Sequence, residues 1–328
     1  MAARGAGGGG AAACAQRAPG VQHYHAPDDT GVARWRADGD LPPAAVRLSS
    51  PYDLDARMAT KRETSWLGYK VHLTETCEPD APLLLTDVQT TLATAADYDA
   101  TGAVQAALAR RDLLPATHLV DAGYVTADQL VQSQTEHRVE LLGPTLGDSH
   151  WQARTPGAYD VDAFAVDWEA RRVACPQGHP SVQWSETRDP HERAVIVVSF
   201  ATATCRACPC RARCTRSARG PRRLTLRPRP QHEALRAARG REATPEFRAQ
   251  YAARAGVEGL LSQGVRAFGL RTARYVGLPR THLQHLLTAA AMNLARLDAW
   301  WTERPRAATK PSKLASLLGP PCASAALT

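Results

Sequence analysis

Two acidic residues and a group of cysteines are the side chains whose type and spacing could support chemistry. Asp121 directly follows the apolar stretch THLV, which predicts a short buried strand. Carboxylates at the carboxyl ends of strands in α/β sheets often face a crevice in which ligands bind. The same position also allows Asp121 to cap a helix that begins near Thr126, so the sequence alone leaves two interpretations open.

Glu258 is the second acid, in the segment YAARAGVEGLLS. Tyr251, Arg254 and Glu258 are separated by three and four residues, which places them on one face of a predicted helix together with Leu261. An acid in that setting is either half of a structural ion pair with Arg254 or a buried metal ligand. Spacing alone favours the ion pair.

Five of the eight cysteines fall within 40 positions, which in a large chain without a secretory signal indicates a metal site rather than disulfides. Two of them have the C-x2-C spacing of a zinc knuckle, and another lies in the turn sequence CPQG, so four thiolates could surround one structural Zn²⁺ ion. The four predicted ligands are Cys175, Cys205, Cys208 and Cys214. Cys210 and His179 are alternatives, and a set of reduced cysteines without metal is the other interpretation.

The charge balance favours a polyanionic partner. Lys and Arg number 40 against 32 Asp and Glu, giving a net charge of +8, and 36 of the 40 cationic residues are arginine. From Arg206 to Arg241 there are twelve arginines and one acid, Glu233, which predicts a salt-sensitive nucleic-acid surface or, alternatively, a merely soluble one. A further basic group follows the acidic helix: Arg266, Arg271, Arg274 and Arg280. No apolar run is long enough to span a bilayer, so we expect a cytoplasmic protein with no membrane partner.

The elements that must position these residues follow from hydrophobic periodicity. WLGYKVHLTETC alternates from Ser65 onward and predicts a strand, and LLLTDVQTT predicts its hairpin partner. Helical spacing and short apolar runs then give the order strand, strand, helix, strand, helix, strand, which indicates an α/β mixed sheet. Short alternating runs such as AVIVVSF, between Pro144 and Leu226, predict a small β-rich insert.

Helices are predicted again from Gln231 to Ala267 and from Thr281 to Trp301. In the last helix one apolar line is expected to face the core. Its members are Leu283, Leu287, Ala290, Leu294, Leu297 and Trp301.

Together the motifs resemble the DDE transposases of bacterial insertion sequences. DAGY after a strand, followed beyond a long insert by YAARAGVEG, is similar to the branch whose acidic helix carries Tyr-x2-Arg-x3-Glu. SPYDLDAR with TKRETSWLGYKVHLTETC, and CPQGH with the later C-x2-C, are similar to other segments of that group. The resemblance extends from about Gln22 to Trp301.

The resemblance implies an RNase H-like core in which two aspartates and one glutamate bind two Mg²⁺ or Mn²⁺ ions that promote DNA cleavage and strand transfer. It assigns Asp121 as the second aspartate and Glu258 as the helix acid, both of them catalytic metal ligands. Tyr251 and Arg254 would support these acids or contact DNA. Further DNA contacts are expected from Arg222, Arg223 and Arg266. Position 265, where the family pattern has lysine, is valine.

The first aspartate of the family set has no counterpart in an Asp-Ser-Thr or Asp-Gly-Thr strand before the segment WLGYKVHL. Asp53 and Asp55 are the nearest acids, in a loop flanked by proline. The resemblance therefore implies a transposase copy that lacks its amino-terminal part. The alternatives are a catalytically dead DNA-binding remnant and an RNase H-like nuclease of other biology. A functional chain would form a homodimer on double-stranded transposon ends and target DNA.

This interpretation divides the chain into six parts. They are a disordered leader (1–20), an irregular segment (21–64), the first part of the RNase H-like core (65–144), a Cys-rich and Arg-rich insert (145–226), the helical part of the core (227–304) and a disordered tail (305–328).

Overall fold

The computed structural model describes residues 22–25 and 32–304. The predicted leader, 1–20, and the predicted tail, 305–328, lie outside the described residues. No helix in the described ranges has both the length and the apolar character needed to cross a membrane.

The first sheet is an antiparallel meander. Its strands are β1 (Arg57–Lys61), β2 (Thr64–Glu75) and β3 (Leu85–Leu92), in that order. The predicted strand and hairpin partner are confirmed as β2 and β3, whereas β1 lies in the segment expected to be irregular. The most buried side chain of β2 is His72, which belongs to the predicted polar face, because elements pack against both faces of this strand.

A second, two-stranded sheet follows, with its helices. The elements are α1 (Asp99–Ala109), β4 (Thr117–Leu119), α2 (Ala127–His137) and β5 (Glu140–Leu142). β4 and β5 are parallel, as expected for strands joined by a helix. Val120, Val125, Leu130 and Leu141 form a small core here, which Ala238 from a later helix completes.

The two sheets are not joined by backbone hydrogen bonds within the described residues. Residues 69–75 of β2 pair with β3 only, and β4 pairs with β5 only, so each strand has one free edge. Between them lies an open groove of about 1100 Å³. The two sheets are instead connected by side chains, since His72 Nδ1 and the Tyr124 hydroxyl lie 2.6 Å apart.

Short strands are the main regular elements of residues 145–226, the range of the predicted insert. The elements of this range are α3 (Trp151–Arg154), β6 (Ala165–Asp167), β7 (Arg172–Ala174), β8 (Ser181–Arg188), β9 (Ala194–Phe200), α4 (Thr202–Ala207), α5 (Arg211–Cys214) and β10 (Arg223–Leu226). β9 is the central strand of a three-stranded sheet, between β10 and β8. The core consists of Phe164, Val173, Ile196, Val198, Phe200, Leu224 and Leu226.

Four helices complete the described chain. They are α6 (Arg229–Glu242), α7 (Pro245–Ala252), α8 (Gly256–Phe268) and α9 (Leu278–Trp301). The predicted single helix that carries Tyr251, Arg254 and Glu258 is interrupted, because a 3-10 turn, Ala253–Ala255, separates α7 from α8. The backbone stays right-handed helical through the turn. The helix is therefore wound more tightly at this point, but the chain does not reverse its direction.

The prediction that the apolar line of α9 faces the core is wrong. The apolar line is largely exposed, with Leu287 62% and Leu294 69% accessible. The buried side chains are instead Thr281, Gln284, His285, Ala289 and Met292. The reason is that α9 joins β3 through polar contacts: the Asn293 side chain accepts from the Leu85 N–H at 2.8 Å and donates to its carbonyl at 2.9 Å.

Candidate active site

Asp121 lies at an exposed turn immediately after β4. Its Oδ1 accepts the backbone N–H of Ala122 at 2.9 Å, which caps the 3-10 turn Ala122–Tyr124. The cap of α2 is Thr126, whose hydroxyl accepts the N–H of Gln129. Asp121 therefore does not cap α2, and its second carboxylate oxygen points to another element.

That element is the turn between α7 and α8. Arg254 Nη2 lies 3.5 Å from Asp121 Oδ2, and the Asp121 and Arg254 side chains are 56% and 23% exposed. The Arg254 guanidinium also lies 5.8 Å from the centre of the Tyr251 ring, which stacks on Phe247. Burial raises the pKa of Tyr251, and the charge of Asp121 raises it further while that of Arg254 lowers it. The fold thus brings Asp121, Arg254 and Tyr251 together across 130 residues of chain.

Glu258 lies one helical turn beyond Arg254, exposed in the first turn of α8. A carboxylate there is favoured by the positive end of the helix dipole. The predicted ion pair with Arg254 does not form in the described structure, where Arg254 pairs with Asp121 instead. No group of three or more His, Cys, Asp or Glu side chains among the described residues is arranged to hold a metal ion. The sharing of Mg²⁺ by Asp121 and Glu258 therefore stays a prediction.

Asp97 lies on the other side of the same 3-10 turn, and the sequence analysis did not identify it as a site residue. Its Oδ1 accepts Lys70 Nζ at 2.9 Å. A Cβ added to Gly123 would lie 3.1 Å from Asp97 Oδ2, so glycine permits this close approach. Burial raises the pKa of Tyr124, and the charges of Asp97 and Asp121 both add to that rise. Two acids thus flank one three-residue turn.

The groove between the sheets begins at this turn. Gly123 and Tyr124 line it from one side, and Lys70, Val71 and His72 of β2 line it from the other. The His72 Nε2 also lies 2.9 Å from the Thr91 hydroxyl, and burial lowers the pKa of His72. The polar atoms of His72 in this groove are therefore hydrogen-bonded to other side chains of the protein.

Asp53 and Asp55, the nearest candidates for the first aspartate, have structural partners. Asp53 accepts the Tyr69 hydroxyl at 2.8 Å on both oxygens and the N–H of Gly277 at 3.1 Å. Asp55 accepts the N–H of Leu278 at 3.0 Å, which caps the start of α9. These acids anchor α9 to the segment before β1.

The cysteine cluster lies at one side of the insert. Five cysteines and His179 line a cavity of about 40 Å³. Burial raises the pKa of the Cys214 thiol, and the charges of Cys205, Cys175 and Cys208 add to that rise while Arg222 opposes it. Desolvation and the neighbouring Cys210 side chain raise the pKa of Tyr159. The structure therefore groups the four predicted ligands around one space.

The predicted DNA-contacting arginines have different surroundings. Arg223 and Arg266 are exposed, and Arg254 pairs with Asp121. Arg222 lines the cysteine cavity, 5.7 Å from the centre of the Phe164 ring, and its Nε is buried without a hydrogen-bond partner in the described structure. Its position indicates a role beside the thiols rather than on the surface.

In the folded structure, acidic side chains from other parts of the sequence pair with some arginines of the arginine-rich stretch. Arg229 pairs with Glu169 and Glu233, both at 2.8 Å, and Arg241 pairs with Glu140 at 2.6 Å. Acids from other parts of the sequence thus neutralise part of the stretch. Within the described ranges, several arginines of the stretch have no side-chain ion pair or hydrogen bond, among them Arg206, Arg219, Arg223, Arg227 and Arg236.

One segment of the chain matches a model of a known protein family. Residues 174–298 match the model described as Transposase DDE domain, a range that contains the cysteines, Tyr251, Arg254 and Glu258 but not Asp121. Comparisons with curated proteins and with solved structures gave no match. The segment from 174 to 298 is therefore similar to the DDE domain of transposases.

Proposed function

We propose that this protein acts on double-stranded DNA as a transposase of the insertion-sequence type, with a DDE site built on Asp121 and Glu258. The observation that carries the proposal is the contact of Asp121 with Arg254. It brings the carboxylate after β4 to the beginning of the helix on which Glu258 lies, within the segment that matches the DDE domain. A transposase of bacterial insertion sequences would meet its DNA in the cytoplasm.

The chemistry follows from the side chains. Exposed carboxylates with oxygen donors suit Mg²⁺ or Mn²⁺, which when bound would stabilise the charge on the attacked phosphodiester. Asp121 and Glu258 would hold such an ion. Arg254 orients the Asp121 carboxylate, and Tyr251 supports the Arg254 guanidinium from its ring face.

The first aspartate is the part of the set that the described residues do not supply. Asp53 and Asp55 are engaged at the start of α9, and Asp97 is paired with Lys70. The free edges of β2 and β4 support an RNase H-like sheet that lacks a strand between them. We therefore propose that the described residues hold an incomplete set of acids, without the strand between β2 and β4 and without its aspartate.

Metal-dependent nicking of duplex DNA tests the activity. The purified chain is incubated with plasmid DNA in Mg²⁺ or Mn²⁺, next to Asp121→Asn, Glu258→Gln and, as a matched control, Glu136→Gln, which changes an exposed acid of α2. The proposed activity requires nicking that is lost in the first two variants and kept in the third. Nicking that survives both site substitutions would remove the assignment.

A non-catalytic DNA-binding remnant is the second candidate. It is favoured by the finding that the described residues contain no set of three or more acids, histidines or cysteines placed to hold a metal ion. DNA binding without nicking in either metal is its expected result. Nicking of RNA–DNA hybrids in preference to duplex DNA would instead favour an RNase H-like nuclease.

The DNA surface has its own test. Neutralising an arginine that contacts phosphate lowers the slope of log affinity against log salt by about 0.9. We expect that change for Arg223→Gln and Arg266→Gln. Arg229→Gln is the matched control, because this exposed arginine is already paired with two acids. Equal slopes in all three variants would argue against this surface.

We also propose that the insert binds one structural Zn²⁺ ion through Cys175, Cys205, Cys208 and Cys214. The four thiols share one cavity, although their present arrangement is not a metal-coordinating one. Burial disfavours thiolates there, so a bound cation would offset that cost. A site closed by four protein ligands would stabilise the insert and take no part in catalysis.

Zinc content measured on the purified protein tests this site. We expect about one zinc per chain in the wild type, a loss of that zinc in Cys205→Ser, and no loss in Cys77→Ser, which changes an exposed cysteine outside the insert. Zinc content near zero in the wild type would refute the site.

A further inference from the structure

Arg222 is a charged side chain beside the cysteine cavity to which the proposed function gives no role. It directly precedes β10, in which Leu224 and Leu226 are buried and Arg223 is exposed. Because side chains alternate between the two faces of an extended segment, Arg222 shares the buried face with the two leucines. Its backbone carbonyl accepts the N–H of Phe200 at 3.3 Å, which holds it beside the end of β9. The local strand pattern therefore turns this arginine inward.

The guanidinium of Arg222 has donors that its protein neighbours leave unused. Its Nε is buried and has no hydrogen-bond partner within the described residues. A buried donor without a partner costs about 1–3 kcal/mol, and more when the group is charged. The ring of Phe164 lies 5.7 Å from the guanidinium and can stabilise its charge, but it offers no oxygen or sulfur to accept an N–H. A group that accepts a hydrogen bond in the cavity would therefore stabilise this side chain.

The thiol of Cys214 is the group that attracts Arg222 most strongly. Burial lowers the pKa of Arg222, and the negative charge of Cys214 opposes that change more than the charges of Asp148 and Asp160 do. Both acids are engaged elsewhere, Asp148 with His150 and Asp160 as the cap of a 3-10 turn. The influence is mutual, since the charge of Arg222 favours the thiolate form of Cys214.

Arg211 also lines the cavity, but its guanidinium is already bound. It donates to the carbonyl oxygens of Cys205 at 3.0 Å, Ser217 at 2.7 Å and Gly220 at 2.9 Å. These bonds hold the loop that follows the cysteines. Arg211 therefore has a structural task, whereas the donors of Arg222 remain available to a group in the cavity.

We propose that Arg222 is the positioning residue of the zinc site, donating a hydrogen bond to the Cys214 thiolate and neutralising part of the charge of the zinc-bound sulfurs. This inference rests on the proposed zinc site. Four thiolates around one Zn²⁺ ion leave a net negative charge, which is costly in a cavity partly walled by Phe200, Pro176 and Pro180. A guanidinium beside the sulfurs offsets that cost, and the sulfur satisfies the buried N–H.

Competition with a chromogenic zinc chelator tests the proposal on the full chain. Arg222→Met removes the charge and the donors but keeps an unbranched side chain, and we expect its zinc affinity to fall about 10- to 100-fold. Arg222→Lys keeps the charge and should lose less affinity. Arg223→Met is the matched control, because the neighbouring arginine is exposed on the other face and should not affect zinc. Unchanged affinity in Arg222→Met, or equal losses in the two methionine variants, would overturn the proposal.

The hydrogen bond to sulfur has a spectroscopic readout that a purely structural role would not change. With Co²⁺ in place of Zn²⁺, the charge-transfer absorption from thiolate to metal reports on the sulfur lone pairs, whose energy a donated N–H lowers. We expect this absorption at longer wavelength in Arg222→Met and at the wild-type position in Arg223→Met. An unchanged absorption in both would overturn the proposed bond. If Arg222→Met does not fold, Arg222→Gln, which is also uncharged, gives the same comparison.

The outcomes separate this inference from the proposed zinc site. Zinc content near zero in the wild type would remove the site and the role of Arg222 with it. One zinc per chain, bound equally tightly by wild type and Arg222→Met, would remove the role of Arg222 only. A lower salt dependence of DNA affinity in Arg222→Met, with unchanged zinc affinity, would show that Arg222 contacts phosphate and would also overturn the proposal. None of these outcomes depends on DNA cleavage.

Discussion

The insert builds its apolar core from residues close together in sequence, whereas the α/β part, residues 57–142, completes its core with side chains from far along the chain. The insert core spans 164–226. In the α/β part, Leu85 and Val88 are buried by Leu260, Ala289 and Met292 of α8 and α9. The insert can therefore fold early from local contacts. The α/β part cannot complete its core until loops of about 170 residues have closed.

Polar connections show the same difference. The α/β part is joined to α9 by buried polar contacts, of which the pair between Glu75 and Arg296 at 2.7 Å is the least exposed, with Glu75 only 4% accessible. Arg296 also donates to the Leu83 carbonyl and to Gln263 of α8. The core of the insert consists instead of apolar side chains. The comparison indicates that cooperativity between the two regions is limited.

Separate expression of the two regions is the strongest way to break this comparison. A fragment of residues 149–228 with zinc supplied should fold, giving dispersed amide resonances and a cooperative thermal transition. A fragment of residues 57–142 should stay unfolded, because it lacks the side chains that cover Leu85 and Val88. If the second fragment folds alone, the long-range account of its stability is wrong.

Removing the buried ion pair should have the next largest effect. Arg296→Met leaves the Glu75 carboxylate buried without its cation, which costs about 3–5 kcal/mol in the free energy of unfolding. The matched control is Arg304→Met, whose pair with Asp298 is largely exposed and worth about 0–1 kcal/mol. Chemical denaturation measures both, and equal losses would contradict the assignment.

A cavity in the insert should act on the insert only. Leu226→Ala removes a side chain that is 1% exposed in the insert core, at a cost of about 2–5 kcal/mol. We expect the transition of the insert to move to lower denaturant concentration while the transition of the α/β part stays in place. A shift of both transitions together would show that the two regions unfold as one.

Acid should weaken the α/β part through His285. Burial, together with the neighbouring charge of His282, lowers the pKa of His285 to about 4, whereas an unfolded histidine titrates near 6.5. Between these two pKa values the unfolded chain binds a proton that the folded chain does not. The contribution of neutral His285 to the free energy of unfolding is therefore fully present above about pH 6.5 and is lost as the pH drops towards 4. His285→Gln should flatten this decline, and unchanged pH dependence of the unfolding midpoint would contradict it.

Much of the fold was predictable because local patterns decide it. The alternation in WLGYKVHLTETC predicted β2, and the helix predicted to begin near Thr126 is α2. The spacing of the cysteines predicted that four thiols would converge, and they share one cavity. These features depend on neighbours in sequence, which is the information a single chain displays directly.

The errors come from contacts that sequence does not display. The apolar line of α9 satisfies every local criterion for a core face, but hydrogen bonds from Asn293 and His285 to β3 turn the opposite face inward. Asp97 was not among the predicted site residues, and only the fold shows that it lies against Gly123. Arg222 was expected to contact DNA, and only the fold shows that it lines the cavity of the cysteines.

Gly123 sets how closely the Asp97 carboxylate can approach the turn that follows Asp121. With only a hydrogen atom in place of a side chain, the turn leaves room for that carboxylate, whereas a methyl group would lie 3.1 Å from the Asp97 oxygen. A side chain at position 123 would therefore require Asp97 to move by a few tenths of an ångström. The first consequence of such a change would be felt by the ion pair between Asp97 and Lys70.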